Sequence, residues 1–304
     1  MVGVFMSNRK IPFRKYFDNG TPRILGYHCD ESGRKTGKWE TFYNDGSPRD
    51  VGFYDDDIKC GKWSFYNKNG RLKSTGTYKN NKQDGKWKFY TAGKLESVGY
   101  YKSGIPHGEW HYFNDGNLDS IGNYHKGKQS GEWSWYYSNS ALKEVVTYKN
   151  NTKHGESKFY CENGTLMMVQ TYDLGDLNGE FRVYHENGKI SEVGYFQTGK
   201  KSGKWKYYYP SGNLRAVAYY RDDNIHGKWQ HFREDGTLMV IKTYDNGKHT
   251  GDYNGFYNNG ELREKGFYRL GIRTGEWQFF DQSGRLYKTD TFNDGELIDS
   301  VVHQ

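Results

Sequence analysis

Glycine, then a charged residue, then tryptophan returns along this chain at a spacing of 24 or 23 residues from Gly37 to Gly275. The copies with lysine are Gly37-Lys38-Trp39, Gly61-Lys62-Trp63, Gly85-Lys86-Trp87, Gly203-Lys204-Trp205 and Gly227-Lys228-Trp229. Those with glutamate are Gly108-Glu109-Trp110, Gly131-Glu132-Trp133 and Gly275-Glu276-Trp277. Three copies replace the tryptophan: Gly155-Glu156-Ser157, Gly179-Glu180-Phe181 and Gly251-Asp252-Tyr253. A fixed period of this size means a repeat array, in which each unit buries its apolar surface only against its neighbours.

Within one unit, the third residue after the tryptophan position is always aromatic, as at Tyr66, Tyr90, Tyr136, Tyr160, Tyr184 and Tyr208. Such a short ring-rich run between glycines reads as a strand. Asn-Gly or Asp-Gly pairs follow, as in Asn69-Gly70, Asp115-Gly116 and Asn163-Gly164, and these tolerate the positive φ of tight hairpins. Next comes an aliphatic residue (Leu72, Leu118, Leu166), then usually a β-branched one (Thr75, Ile121, Val169), then a closing aromatic (Tyr78, Tyr124, Tyr172). Each unit is therefore expected to be strand, turn, strand, turn. Alternation places Leu72, Ser74, Gly76 and Tyr78 on one face, and Lys73, Thr75 and Thr77 on the other. Glycine weakens a strand unless a ring covers it, so Gly52, Gly76, Gly99, Gly122, Gly194 and Gly266 are each expected beneath a neighbouring aromatic.

Short connections make consecutive strands antiparallel neighbours. The expected fold is all-β: an elongated, single antiparallel β-meander of about twelve stacked hairpin repeats, coiled into a twisted ribbon or trough. It is expected over residues 13–297, with a lead-in at 1–12 and a tail at 298–304. Composition agrees with a thin core made of rings. Apolar residues are only 34% of the chain but aromatics are 18%, including 28 tyrosines that bury a face while keeping a hydroxyl wet. A net charge of +7 spread along the chain permits an acidic partner without requiring one. Met1–Met6 lacks the basic start of a secretory signal, and no apolar run reaches membrane-span length. Cys29, Cys60 and Cys161 are too few for a disulfide framework, so a cytoplasmic location is expected.

Gly-Lys-Trp-x-Phe-Tyr, then Asn-Gly-x-Leu, then Tyr-x-x-Gly-x-x-x-Gly resembles the MORN repeat in its variant class, across about residues 13–297. The resemblance implies an antiparallel β-sheet rod without catalytic residues. It also implies an antitoxin-like or scaffolding role toward a partner protein, or attachment to acidic lipid.

His107, His154 and His226 each precede a repeat glycine and His249 lies one place earlier in its unit; even adjacent units are roughly 9.5 Å apart, too far to share a metal whose ligands each lie about 2 Å from it. Glu109, Glu132, Glu156 and Glu180 hold equivalent positions in four consecutive units. They read as a solvated charge stripe that could set the register of a partner, rather than as catalytic carboxylates. The interleaved bases and rings recur because the sheet needs them, so nucleic acid is not expected as a partner. No enzymatic activity, metal or cofactor is expected. The expected function is non-catalytic protein binding, with Tyr66, Tyr90, Tyr136, Tyr160, Tyr184, Tyr208 and the four glutamates as the contact surface. A peripheral membrane adaptor using Lys38, Lys62 and Lys86 on acidic headgroups is the alternative. Open end strands leave room for end-to-end oligomers.

Overall fold

The computed structural model describes residues 10–29 and 32–304. The stretch Met1–Met6 lies outside the described residues, as does most of the expected lead-in. No α-helix occurs among the described residues, and none is long and apolar enough to cross a membrane. The chain divides into two compact units, residues 1–152 and 153–304. In each unit the strands pair antiparallel in sequence order, with Lys82–Gln83 and Gly85–Thr91 both against Leu72–Lys79, and Asn224–Ile225 and Gly227–Phe232 both against Leu214–Arg221. The first strand is Lys10–Tyr16 and the last is Glu296–Val302, so the ladder takes in part of both the expected lead-in and the expected tail.

One repeat shows how sequence makes this ladder. Lys128–Tyr136 pairs with Asn117–His125 on one side and with Leu142–Lys149 on the other. Against the earlier strand, Gly122 faces Trp133 and Asn123 faces Ser130, so Gly131 and Glu132 bulge out of register. Gly131 has φ +73°, which favours glycine. The other repeat glycines from Gly37 to Gly275 share a positive φ, and this explains their strict recurrence. The indole N–H of Trp133 donates to the carbonyl of Asn123 at 3.2 Å, satisfying a backbone acceptor next to the bulge. Trp63, Trp87 and Trp110 make the same bond to Phe53, Thr77 and Tyr100. At Trp205 and Trp277 the buried N–H finds no acceptor.

Both turns form as the dipeptides dictate. Between repeats the turns are two residues with both φ positive, as at Asn150 (54°) and Asn151 (71°), or Lys126 (49°) and Gly127 (78°). This is the mirror-image turn that matches strand twist. Successive turns are tied together: Asn151 N–H donates to the Gln129 carbonyl and Gly127 N–H to Pro106. The turn inside each repeat is longer, closed in one case by Gly70 N–H to Asn67 and Asn67 N–H to Arg71. In the two 23-residue repeats it shrinks to the pairs Ala92-Gly93 and Asp115-Gly116. That shorter turn accounts for the missing residue.

The core is a row of rings along one face of the sheet. Trp63, Phe65, Trp87, Phe89, Trp110 and Tyr112 stack in sequence at centroid separations of 5.8 to 6.2 Å. The closing tyrosines pack edge-on, as in Tyr78 against Trp87 at 5.2 Å. Such pairs contribute about 0.5–1.5 kcal/mol beyond their buried area. In the second unit Phe181, Phe196 and Trp205 form an equivalent cluster. A single layer thereby buries indoles fully: Trp87 is 1% exposed and Trp205 0%.

All six strand glycines lie beneath a tryptophan, eleven residues later in sequence, as expected. Gly26 lies likewise beneath Trp39, thirteen residues later. Where the tryptophan is replaced, the residue eleven earlier is not glycine: Val146 precedes Ser157, Gln170 precedes Phe181 and Lys242 precedes Tyr253.

Candidate functional site

Two surfaces offer chemistry, one on each side of the sheet. On the side opposite the tryptophans, alternation collects the residues one before, one after and three after each tryptophan position. The ten sequence-derived contact residues all belong to this side. Glu109, Glu132, Glu156 and Glu180 are exposed, and Tyr66, Tyr90, Tyr136, Tyr160, Tyr184 and Tyr208 are half-buried.

The glutamates do not form a bare acidic stripe, because three of the four are partnered by the side chain two positions on, which is a lysine or arginine in two of them. Glu109 lies 2.6 Å from His111 Nε2, Glu156 lies 2.9 Å from Lys158, and Glu180 accepts from Arg182 Nε at 2.8 Å. Glu180 and then Tyr184 hold the Arg182 guanidinium above its usual pKa range. Glu132 is followed two residues later by Ser134. Of the three lysines considered for lipid contact, Lys38 is paired with Glu40 at 2.8 Å and Lys86 sits 5.9 Å from the ring centre of Tyr100.

The same side carries a second column that sequence reasoning missed. Phe53, Tyr100, Tyr195, Tyr219 and Phe267 are 40 to 49% exposed. Each is the cross-strand partner of the charged residue before a tryptophan position, as in Lys38 with Phe53, Lys86 with Tyr100 and Glu180 with Tyr195. The readable signal was the slot before the closing aromatic. It holds a ring in these repeats and Thr or Asn in others, such as Thr77, Asn123 and Thr147.

On the tryptophan side, cations four residues before the tryptophan cap its ring. Lys59 Nζ lies 4.3 Å from Trp63, Lys201 Nζ 3.9 Å from Trp205, and the Arg273 guanidinium 4.0 Å from Trp277. Burial, with Lys35 adding to it against Asp50, pushes the Lys59 ammonium below its usual pKa.

The histidines stay apart. His154 lies 3.2 Å from Asp173, His226 3.2 Å from Asp245, and His107 faces His125 at 6.0 Å. His249 is stacked on Tyr268 at 4.0 Å and on Tyr244 at 5.2 Å. Among the described residues no group of three or more potential ligands gathers around a common point.

A sequence model of the MORN repeat variant matches residues 59–80, 129–150, 153–173, 177–198, 201–222, 225–246 and 273–294. No curated protein matches the chain. Among solved structures, the chain overlaps TcdB2-TccC3 at 10% identity and TM-score 0.19, covering 93% of this chain and 20% of that one. TcdB2-TccC3 without its hypervariable C-terminal region gives 10% and 0.19, covering 93% and 17%. TcdB2-TccC3-Cdc42 gives 10% and 0.17, covering 94% and 22%. The chain thus spans about a fifth of the length of these solved chains, and superposition this poor says nothing about function.

Proposed function

Because the chain belongs to the MORN repeat variant family, we propose that it is a non-catalytic repeat protein that binds a partner protein. MORN repeats are in general protein- or lipid-binding. The observation that favours protein is the exposed rings within each unit, Phe53 and Tyr100 in the first and Tyr195, Tyr219 and Phe267 in the second, set beside charged residues of both signs. Aromatic side chains are enriched at protein interfaces, where a ring adds apolar contact at low entropy cost. A lipid-facing surface would instead gather cations, whereas here Lys38 is neutralised by Glu40.

An antitoxin or immunity-type role, or scaffolding, is the narrower form of this proposal and rests on family resemblance. The cytoplasm is the proposed location, since Cys29, Cys60 and Cys161 are free thiols. Co-purification of the tagged full chain from its host, with partners identified by mass spectrometry, tests the reading. A stoichiometric protein partner is expected. Co-flotation of the chain with acidic vesicles at low salt, together with no co-purifying protein partner, would contradict it.

A further inference from the structure

The tryptophan side of the first repeats contains a cavity of about 430 Å³ between the strands that carry Trp39 and Trp63. Its walls are the rings of Phe13, Trp39, Tyr54 and Trp63. Among the described residues, Lys15, Lys35, Arg49 and Lys59 line it, with His28, against a single carboxylate, Asp50. That carboxylate is already engaged, by Arg49 Nε at 3.0 Å and by the Thr41 hydroxyl at 2.7 Å. Lys35 Nζ lies 4.9 Å from the ring centre of Tyr54, and Lys59 Nζ 5.2 Å from that of Tyr78. Among the described residues neither ammonium has a carboxylate within ion-pair distance.

The second unit shows what a balanced version looks like. Lys201 caps Trp205 as Lys59 caps Trp63, and Glu192 stands in the column of Asp50. There Glu192 takes Lys201 directly at 2.8 Å. The cavity at Trp39–Trp63 carries the same lysine twice, but its one carboxylate serves Arg49.

We propose that this cavity seats an acidic, extended segment of the partner protein, with two carboxylates, two residues apart on one side of that segment, reaching Lys35 and Lys59 among the rings of Trp39, Tyr54 and Trp63. This deepens the protein-binding reading and rests on it. Lys35 and Lys59 are equivalent positions in consecutive repeats, so their strands are about 9.5 Å apart. Side chains two apart on an extended strand project to one side about 7 Å from each other, and lysine arms span the remainder. Lysines over rings that lack acidic partners gain more from an incoming carboxylate than a hydrated surface lysine does.

The test uses the full chain and a fluorescein-labelled peptide of alternating glutamate and leucine, read by anisotropy. The peptide is expected to bind, and to bind more weakly as salt rises. Lys35→Gln with Lys59→Gln is expected to weaken it at least about tenfold. Lys201→Gln, in the balanced column, is expected to leave it unchanged. Asp50→Asn, which frees Arg49, is expected to tighten it, and this arm stands even where the lysine variants fold poorly. Equal binding by the Lys35→Gln/Lys59→Gln protein would overturn the assignment. So would equal binding of a lysine–leucine peptide, failure of Asp50→Asn to tighten, or displacement by inorganic phosphate or phosphatidylglycerol vesicles. If the Lys35→Gln/Lys59→Gln protein still captures the natural partner, the cavity assignment fails while the protein-binding reading stands. If the wild-type chain captures no partner, that broader reading fails.

Discussion

Trp87 lies where a side chain on Gly76 would be. An ideal Cβ built on Gly76 falls well inside van der Waals contact of the indole carbons, and the same holds for Gly194 beneath Trp205. The two residues form one packing element: the glycine makes room and the tryptophan closes it. Trp229 shows the consequence of a small change. It follows Ala218 rather than glycine, and it is half-buried, whereas Trp87, Trp205 and Trp277 are no more than 1% exposed.

Gly76→Ala is therefore expected to destabilise the first unit by about 1–3 kcal/mol through overpacking. Urea unfolding followed by tryptophan fluorescence measures it. Pairing Gly76→Ala with Trp87→Phe should cost less than the sum of the two single changes, and strict additivity would show that the pair is not coupled.

Gly131 needs glycine for a different reason. No atom lies within 4 Å of its would-be Cβ, so the constraint is its φ of +73° alone. Gly131→Ala is expected to cost about 1–2 kcal/mol, and Gly131→Asn distinctly less, because asparagine tolerates the left-handed region. At Gly122, beneath Trp133, asparagine should be worse than alanine. Melting temperatures of the four variants check this ordering, and asparagine proving as harmful as alanine at Gly131 would contradict it.

Strand order, hairpin turns and the ring over each strand glycine were all legible in the repeat, because period-two alternation and Asn-Gly turns act locally. What the repeat concealed came from its finer geometry. The bulge at each repeat glycine cannot be seen in a pattern where that glycine also looks like an ordinary turn residue. The stripe Glu109, Glu156 and Glu180 looked acidic until the strand placed His111, Lys158 and Arg182 beside it.

His249 supplies a pH dependence. Burial, and secondly Lys242, lower its pKa from 6.5 to about 4, and its buried Nε2 has no hydrogen-bond partner. A histidine with a depressed folded pKa takes up its proton more readily when unfolded. Its contribution is thus fully present above about pH 6.5 and is lost as pH falls toward about 4. His249→Phe keeps a ring between Tyr244 and Tyr268 without the charge. Its melting temperature is expected to fall less than that of the wild type between those pH values. Parallel curves for the two proteins would contradict this role.

On the proposed function, exposed rings opposite the tryptophan row engage another protein. Tyr195 and Tyr219 are 49% and 40% exposed and stand on consecutive repeats of one unit. The most direct measurement is the affinity of the co-purified partner for the wild-type chain and for Tyr195→Ser/Tyr219→Ser, by calorimetry, with thermal melts as the folding control. The account predicts a loss of at least about tenfold with melting little changed. Unaltered affinity in a folded double variant would contradict it.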